Sequence, residues 1–376
     1  MVDNMISSAH PLLPPTQEED QLAWLRLLRS RRVGIATFYR LLAEYGTAQT
    51  CLNELPKIAK AAGEDKYEPF SERAAVSEWK AGHQFGARLV FRGMVEYPRS
   101  LTDLVDAPPM LWVKGDLSLL SKPILALVGA RNASSLGMRM SRFLATELGE
   151  AGYVICSGLA RGIDAAAHSA ALGTGTIAVL GGGINIPYPA ENAQLMQSIG
   201  AQGVLVSEQP VGMTPMARHF PMRNRIISGL SQALIVIEAA SKSGSLITAR
   251  NALDQGRDVY AVPGHPFDAR ASGCNMLIRD GAVLVRRAQD VIDALAPTIA
   301  PSHEKPQDRS LREVADLHSQ ILSRLSPSPM AEDQIIRDLG ISAAQAASTI
   351  VDLEIDGRIQ RYHGGMIALN VGPAKH

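Results

Sequence analysis

Apolar positions in the first quarter of the chain recur at three- and four-residue steps: Leu22, Leu25 and Leu28, then Phe38, Leu41, Leu42 and Tyr45. That spacing predicts helices with one buried stripe, and hence a small helical domain over 17–87. Residues 1–16, which carry Pro11, Pro14 and Pro15, are expected to be an unordered leader. Within the helical domain, Val33-Gly34-Ile35-Ala36 followed by a helix ending near Gly46 suggests a helix-hairpin-helix or SAM-like unit. Ala36 stands where a second glycine would let such a hairpin approach a phosphate, which favours a packing or accessory role.

Beyond a connecting stretch with Tyr97-Pro98, Pro108-Pro109 and Trp112, the pattern changes. Wholly apolar runs at 124–128, 153–155, 176–180, 203–206, 233–237, 258–262 and 282–285 read as strands, separated by helical patterns at 136–150, 163–172, 190–199, 222–230 and 246–255. Strands with no polar alternation are buried on both faces, so the alternation predicts an α/β domain over 88–296 with a Rossmann-like, doubly wound, mostly parallel sheet. Residues 297–312 combine proline and charge without apolar period and read as a linker. Three helices (319–325, 331–339 and 342–356, with Ser342 as N-cap) and a hairpin of 358–362 and 366–369 turning at Gly364-Gly365 predict a winged helix over 313–372.

Composition narrows the chemistry mainly by exclusion. Lys plus Arg and Asp plus Glu number 37 each, so any polyanion site must come from local sorting of charge. Cys51, Cys156 and Cys274 are far apart and lack CxxC spacing, which argues against a disulfide framework or a metal site and fits a cytoplasmic protein. Neither a signal peptide nor a membrane-spanning run is expected.

In a doubly wound sheet, ligands bind beyond the carboxyl ends of the strands. The run after 124–128 is Gly129-Ala130-Arg131-Asn132-Ala133-Ser134-Ser135, leading into a helix with Arg139 and Arg142. Backbone N–H groups, a helix dipole and Arg131 together suit a phosphate. The stretch lacks GxGxxG and a ribose-binding acid about twenty positions on, which disfavours NAD; no cofactor is expected. After 153–155 comes Ser157-Gly158-Leu159-Ala160-Arg161-Gly162-Ile163-Asp164, and after 176–180 Gly181-Gly182-Gly183; a structural turn is the simpler reading of each alone. Ser157, Asp164 and His168 form a conceivable hydrolytic trio, set aside because same-helix pairs are commonly structural.

Charge sorting says more. No acid stands between Asp116 and Glu147 or between Glu208 and Glu238, while Lys122, Arg131, Arg139 and Arg142 occupy the first interval and Arg218, His219, Arg223 and Arg225 the second, around Phe220 and beside Asn224. Basic residues interleaved with an aromatic suit a single strand, whose phosphates take the charge and whose bases stack. The alternative is that Phe220 caps the core and the arginines are a solvated face. A last phosphate-type loop, Lys242-Ser243-Gly244-Ser245 with Thr248 in the following helix, comes after 233–237.

These residues together resemble the DprA family, also called Smf, of DNA-processing proteins in natural transformation. The resemblance rests on VGAR at 128–131, SGLARGIDAAAH at 157–168, YP at 188–189, SEQP at 207–210, FPMRNRIISGLS at 220–231, EAASKSGSLITA at 238–249 and AVPG at 261–264, and covers about residues 97 to 295. It implies a non-catalytic protein that binds and protects single-stranded DNA and loads the RecA recombinase, as a homodimer. Arg131 matches the family's phosphate-loop arginine, and Arg218 to Arg225 its basic-aromatic segment. Family members often carry a lysine just before the phenylalanine; Arg218 and His219 stand there instead. The winged helix's would-be recognition helix has Asp352, Glu354 and Asp356 and no Lys or Arg, with Arg358 and Arg361 on the wing, which suggests a protein-interaction or weak duplex module. Two other readings stay open: a phosphoribohydrolase-type enzyme, whose loop glutamate would fall where Ala249 and Arg250 stand, and a nucleotide-sensing adaptor.

Overall fold

The computed structural model of the 376-residue chain describes residues 14–295, 311–363 and 365–370. Most of the expected leader and of the linker lie outside the described residues. By contacts the chain divides into two units, Met1–Ala296 and Pro297–His376.

The first unit opens with helices α1 (Glu18–Arg29), α2 (Ile35–Tyr45), α3 (Ala48–Ala61) and α4 (Glu72–Gln84). Acids in the first turn of α1 and Arg26 and Arg29 in its last complement the helix dipole, and the hydroxyls of Thr47 and Ser71 cap α3 and α4. Strand β1 (Arg88–Phe91), helix α5 (Arg99–Thr102) and strand β2 (Met110–Gly115) follow. Then come β3 (Ile124–Val128), α6 (Ser135–Glu150), β4 (Val154–Ser157), α7 (Ile163–Ala170), β5 (Thr176–Leu180), α8 (Ala193–Gln202), β6 (Val204–Ser207), α9 (His219–Leu230), β7 (Ala233–Val236), α10 (Gly244–Asp254), β8 (Asp258–Ala261), α11 (Ser272–Arg279), β9 (Val283–Leu284) and α12 (Ala288–Leu295).

The strands form one sheet in the order β1-β2-β6-β5-β4-β3-β7-β8-β9. From β6 to β9 every pairing is parallel; β1–β2 and β2–β6 are antiparallel. The apolar runs are therefore buried on both faces as their composition requires: Leu125 and Leu127 pack with Leu144, Leu148 and Ile163, while Ala126 and Val128 pack with Ile226, Ile227 and Leu230. The connecting stretch read from sequence actually contains β1 and β2. The helical segment shares a core with them: Trp24 meets Phe38 and Phe91 edge-on at 5.1 and 5.9 Å. Its Glu78 accepts from the Trp112 indole at 3.0 Å and pairs with Arg29 at 2.9 Å.

Chain order reverses between β3 and β7, which makes their carboxyl ends the switch point where a doubly wound sheet leaves a crevice.

The second unit contains α13 (Leu311–Arg324), β10 (Met330–Ala331), α14 (Glu332–Leu339), α15 (Ala343–Ile355), β11 (Ile359–Tyr362) and β12 (Met366–Leu369), around Ile321, Ile335, Ile350, Leu353 and Ile367. It is a winged helix, with β10 adding a third antiparallel strand to the expected hairpin. Helix α13 begins earlier than periodicity suggested, inside the segment read as linker.

Candidate nucleic-acid interface

The loops after β3, β4, β5 and β7 meet at the switch point because their glycines let backbones touch. A Cβ on Gly162 would fall 2.3 Å from the carbonyl oxygen of Ala130 and 2.7 Å from that of Arg131, and its φ of +73° already favours glycine. A Cβ on Gly158 would fall 2.0 Å from the Arg223 guanidinium. The SGLARG glycines thus fix where the Arg131 loop and Arg223 sit.

Two clefts open along this edge. The first, about 430 Å³, is walled by Arg131, Arg161, Gly181, Tyr188 and Phe220, with Arg223 behind them. The second, about 570 Å³, runs from Arg131, Asn132 and Phe220 past Asn224 to Lys242, Ser243, Gly244, Ser245, Thr248 and Arg270. Arg131 and Phe220 border both. The Arg131 guanidinium lies over the half-buried Phe220 ring at 5.1 Å, and the exposed Tyr188 ring tilts against the same ring at 5.4 Å. Among the described residues no carboxylate pairs with Arg131, Arg218 or Lys242, all exposed; Arg161 pairs with Glu191 at 3.1 Å.

The structure corrects the expected phosphate turn. Glu238, at the end of β7, fills the N-terminus of α6: its carboxylate accepts from the Ser134 N–H at 3.0 Å and from the Ser134 hydroxyl at 3.1 Å. Its backbone oxygen accepts from the Ala130 N–H at 2.6 Å. Gly137 makes room, since a Cβ there would lie 1.9 Å from the carboxylate. A buried carboxylate at the positive end of the dipole thus takes the Ser134 N–H and hydroxyl, two of the donors expected for a phosphate. Ala130 and Ser134 therefore support the loop, and Gly129 keeps it close to Ile163 and Glu238. The Arg131 side chain stays exposed at the clefts, with no carboxylate partner among the described residues.

The basic-aromatic segment is corrected as well. It forms the first turns of α9, so its members point different ways. Arg225 is 8% exposed and faces away from the clefts toward Glu208, which it meets at 2.6 Å, and Asp106, at 3.3 Å. Arg223 is buried, donating from Nη1 to the carbonyls of Gly158 and Val179, both at 2.6 Å. Burial depresses its pKa while the Asp164 charge supports it. His219 is buried and its pKa is lowered by burial and by Arg218; its Nδ1 accepts from the Met216 N–H at 3.3 Å. These three are not surface cations. Of the two acids that bound the acid-free interval, Glu208 folds back to pair with Arg225, while Glu238 turns to Ser134 and Arg270.

The conceivable hydrolytic trio is engaged with the loop backbone. The Ser157 hydroxyl donates to the Leu127 carbonyl at 2.6 Å, and Asp164 accepts from the N–H groups of Gly158 and Ala160 at 3.2 and 3.4 Å. His168 Nε2 accepts from the Leu159 N–H at 3.3 Å, so its proton sits on Nδ1, facing Thr176 Oγ1 at 2.7 Å. Burial lowers this imidazole's pKa to about 3. The neutral form is thus built into the fold, and the unfolded chain takes up a proton near pH 6.5 while the native one does not. Stability is expected to fall as pH drops below about 6.5, by up to about 1.4 kcal/mol per pH unit from this group. Urea midpoints across that range, with the His168 ring followed by NMR, check this; a ring that protonates near pH 6 in the folded protein refutes it.

Sequence reasoning left some groups unassigned. Asn192 donates to the carbonyls of Leu159 and Ala160 at 2.9 and 3.3 Å, clamping the loop from a distant position that no motif marks. Tyr188 belongs to the quoted YP pair but received no role. No helix among the described residues is long and apolar enough to cross a membrane, and no group of three or more metal-ligating side chains occurs among them. All three cysteines are buried and free, their thiols pushed up by burial.

Comparison with known proteins gives a consistent picture. Residues 88–296 match the family described as DNA recombination-mediator protein A, residues 18–81 a DprA-like N-terminal HHH domain, and residues 305–365 a DprA winged helix domain. The chain is 38% identical to Protein Smf of Escherichia coli over 280 residues, covering 73% of this chain and 75% of that protein. It is 47% identical to the DNA processing protein DprA of Streptococcus pneumoniae over 198 residues, 52% of this chain and 70% of that one. The X-ray structure of DprA from Streptococcus pneumoniae matches with a TM-score of 0.58 and 36% identity, over 68% of this chain and 84% of the other. A Helicobacter pylori DprA structure, described by its single-stranded DNA binding mode, matches with a TM-score of 0.52 and 30% identity, over 56% and 95%.

Proposed function

The chain belongs to the DNA recombination-mediator protein A family, and from that premise we propose that it binds single-stranded DNA in the paired clefts at the carboxyl edge of its sheet, protects the strand, and loads a RecA recombinase onto it. The observation that carries this reading is the Arg131–Phe220–Tyr188 arrangement: an unpaired guanidinium and two accessible rings on the wall shared by, or adjoining, two open clefts. A phosphate can meet the cation and a base the rings, in any sequence. Arg131, Asn132, Phe220, Asn224, Lys242 and the Ser243–Ser245 turn are the proposed contacts, with Gly158, Gly162 and Arg223 holding them in place.

The protein acts as a binder without catalytic turnover. Ser157, Asp164 and His168 are engaged internally, and the helix position where a phosphoribohydrolase would need its glutamate holds the buried Ala249 and exposed Arg250. Self-association as a homodimer belongs to the same proposal, and the exposed apolar Val283 and Leu284 at the sheet edge, 43% and 41% exposed, are side chains it would cover. In the winged helix, Asp352, Glu354 and Asp356 of the α15 region are exposed, and Arg361 on the wing is paired with Glu332 and Glu354. Such a surface disfavours a phosphate backbone, so the role proposed for this unit is a protein contact or weak duplex binding.

Fluorescence anisotropy with labelled oligo-dT and a duplex of equal length tests the proposal. Binding to the single strand is expected to be tighter and to weaken with salt by about 0.7 log units of affinity per log unit of salt for each phosphate contact. Adding RecA and ATP to the complex is expected to speed filament growth. Equal affinity for both DNA forms would overturn the reading.

A further inference from the structure

A third cleft of about 530 Å³ lies farther along the same carboxyl edge, between α6 and the loop that follows β8, and it includes Arg139, Phe143 and His265. Glu238 lines it too, and Arg270, which borders the second cleft, reaches Glu238 at 3.4 Å. The Glu238–Arg270 pair therefore links a wall of the second cleft to a wall of the third.

The loop after β8 is held by its own hydrogen bonds. The N–H of Gly264 donates to Asn275 Oδ1 at 3.1 Å, Asn275 Nδ2 donates to the Gly264 carbonyl at 3.0 Å, and the N–H of Asp268 donates to the His265 carbonyl at 2.9 Å. From this fixed loop Phe267 projects outside the cleft's lining with 96% of its surface exposed, its ring tilted at 5.6 Å against His265, which does line the cleft. Phe143 is 41% exposed on the facing helix, one position from Arg142 and four from Arg139. Both arginines are exposed, and among the described residues neither has a carboxylate partner. The acids nearby are already engaged: Glu238 by the start of α6, and Asp268 by Arg270 in a two-pronged contact of 3.1 Å on each arm.

A lone exposed ring is ordinary on a protein surface, but here Phe267, His265 and Phe143 gather at one cleft, which makes an aromatic patch. Unpaired guanidinium groups beside it select a partner that is both flat and negatively charged. We infer that the third cleft and the Phe267 ring beside it form a second stacking platform, where His265 and Phe143 in the cleft and Phe267 next to His265 receive bases of a strand whose earlier nucleotides lie against Phe220, and Arg139 holds a phosphate between them. The inference rests on the single-strand reading of the first two clefts and lengthens it: the strand crosses the switch point past Lys242 and Arg270 and ends beyond β8. A short oligonucleotide fills only the Phe220 side, whereas a long one spans both platforms and gains from the higher local concentration of its second half.

The test compares labelled oligo-dT of about 5 and about 15 nucleotides, within the range of lengths bound by a single compact fold. Phe267→Ala removes a ring packed only on His265, so it leaves the fold intact. It is expected to leave short-oligonucleotide affinity unchanged and to lower long-oligonucleotide affinity about 5- to 100-fold. Arg139→Ala is expected to make the salt dependence shallower for the long oligonucleotide alone. If wild type prefers single strands but Phe267→Ala binds both lengths as wild type does, the second platform is overturned and the first reading stands. If wild type does not distinguish single strand from duplex, both fall.

Discussion

Replacing Arg225 with alanine is expected to destabilise the first unit by about 3–5 kcal/mol, the cost of leaving one partner of a buried pair without the other. Glu208 is the partner left behind: it is paired at 2.6 Å, and both side chains are 10% exposed. Burial already pushes the Glu208 carboxyl above the usual carboxylate range, with Arg225 pulling it back. Without the arginine it rises further, so the folded variant binds a proton that the unfolded chain releases. A raised carboxylate pKa contributes stability at low pH that is lost as pH rises through the folded value. The deficit should therefore be largest near pH 7 to 8 and shrink toward pH 5, read as urea midpoints of variant and wild type. A variant as stable as wild type but unable to bind oligo-dT would return Arg225 to the DNA-contacting surface.

Phe220→Ala carries the second large effect. Stacking of a base on an aromatic ring is worth about 1–3 kcal/mol, so affinity for oligo-dT should fall roughly 5- to 150-fold. Phe220→Trp should retain most of it. Because the Arg131 guanidinium lies 5.1 Å from the same ring, removal of either group disturbs the other's contact. The double variant with Arg131→Ala should then lose less than the sum of the two single losses. Circular dichroism separates these outcomes from unfolding. If Phe220→Ala binds normally with its fold intact, the ring is merely a wall of the cleft.

The sheet was legible because its parallel strands are buried on both faces, and uninterrupted apolar runs such as Ile124–Val128 have few other homes. Strands β1 and β2 were not, since an antiparallel pair at the sheet's margin tolerates Arg88 and Lys114, and Pro108-Pro109 obscured the start of β2. The loops of the site could be located by the rule that ligands gather at strand ends. The state of their charges could not. Arg225 finds Glu208 across 17 positions, and Ser134 finds Glu238 across 104, so acids that looked like borders of a basic stretch are among its closest neighbours. Side-chain direction on α9 was equally hidden: Arg223, Asn224 and Arg225 are adjacent in sequence, yet only Asn224 and Arg223 border the clefts.

Glu238 also bears on what the crevice turns away. A free nucleotide in a doubly wound sheet usually anchors itself by its terminal phosphate at the first helix after the switch point. Here a tethered carboxylate occupies that berth at an effective concentration no dissolved metabolite reaches. A monomer that seeks this helix terminus must displace it and leave it buried without its donors, whereas a polymer can lie across neighbouring groups without claiming the spot. Mononucleotides are therefore expected to compete poorly with oligo-dT, which displacement of bound labelled oligo-dT by added mononucleotide checks.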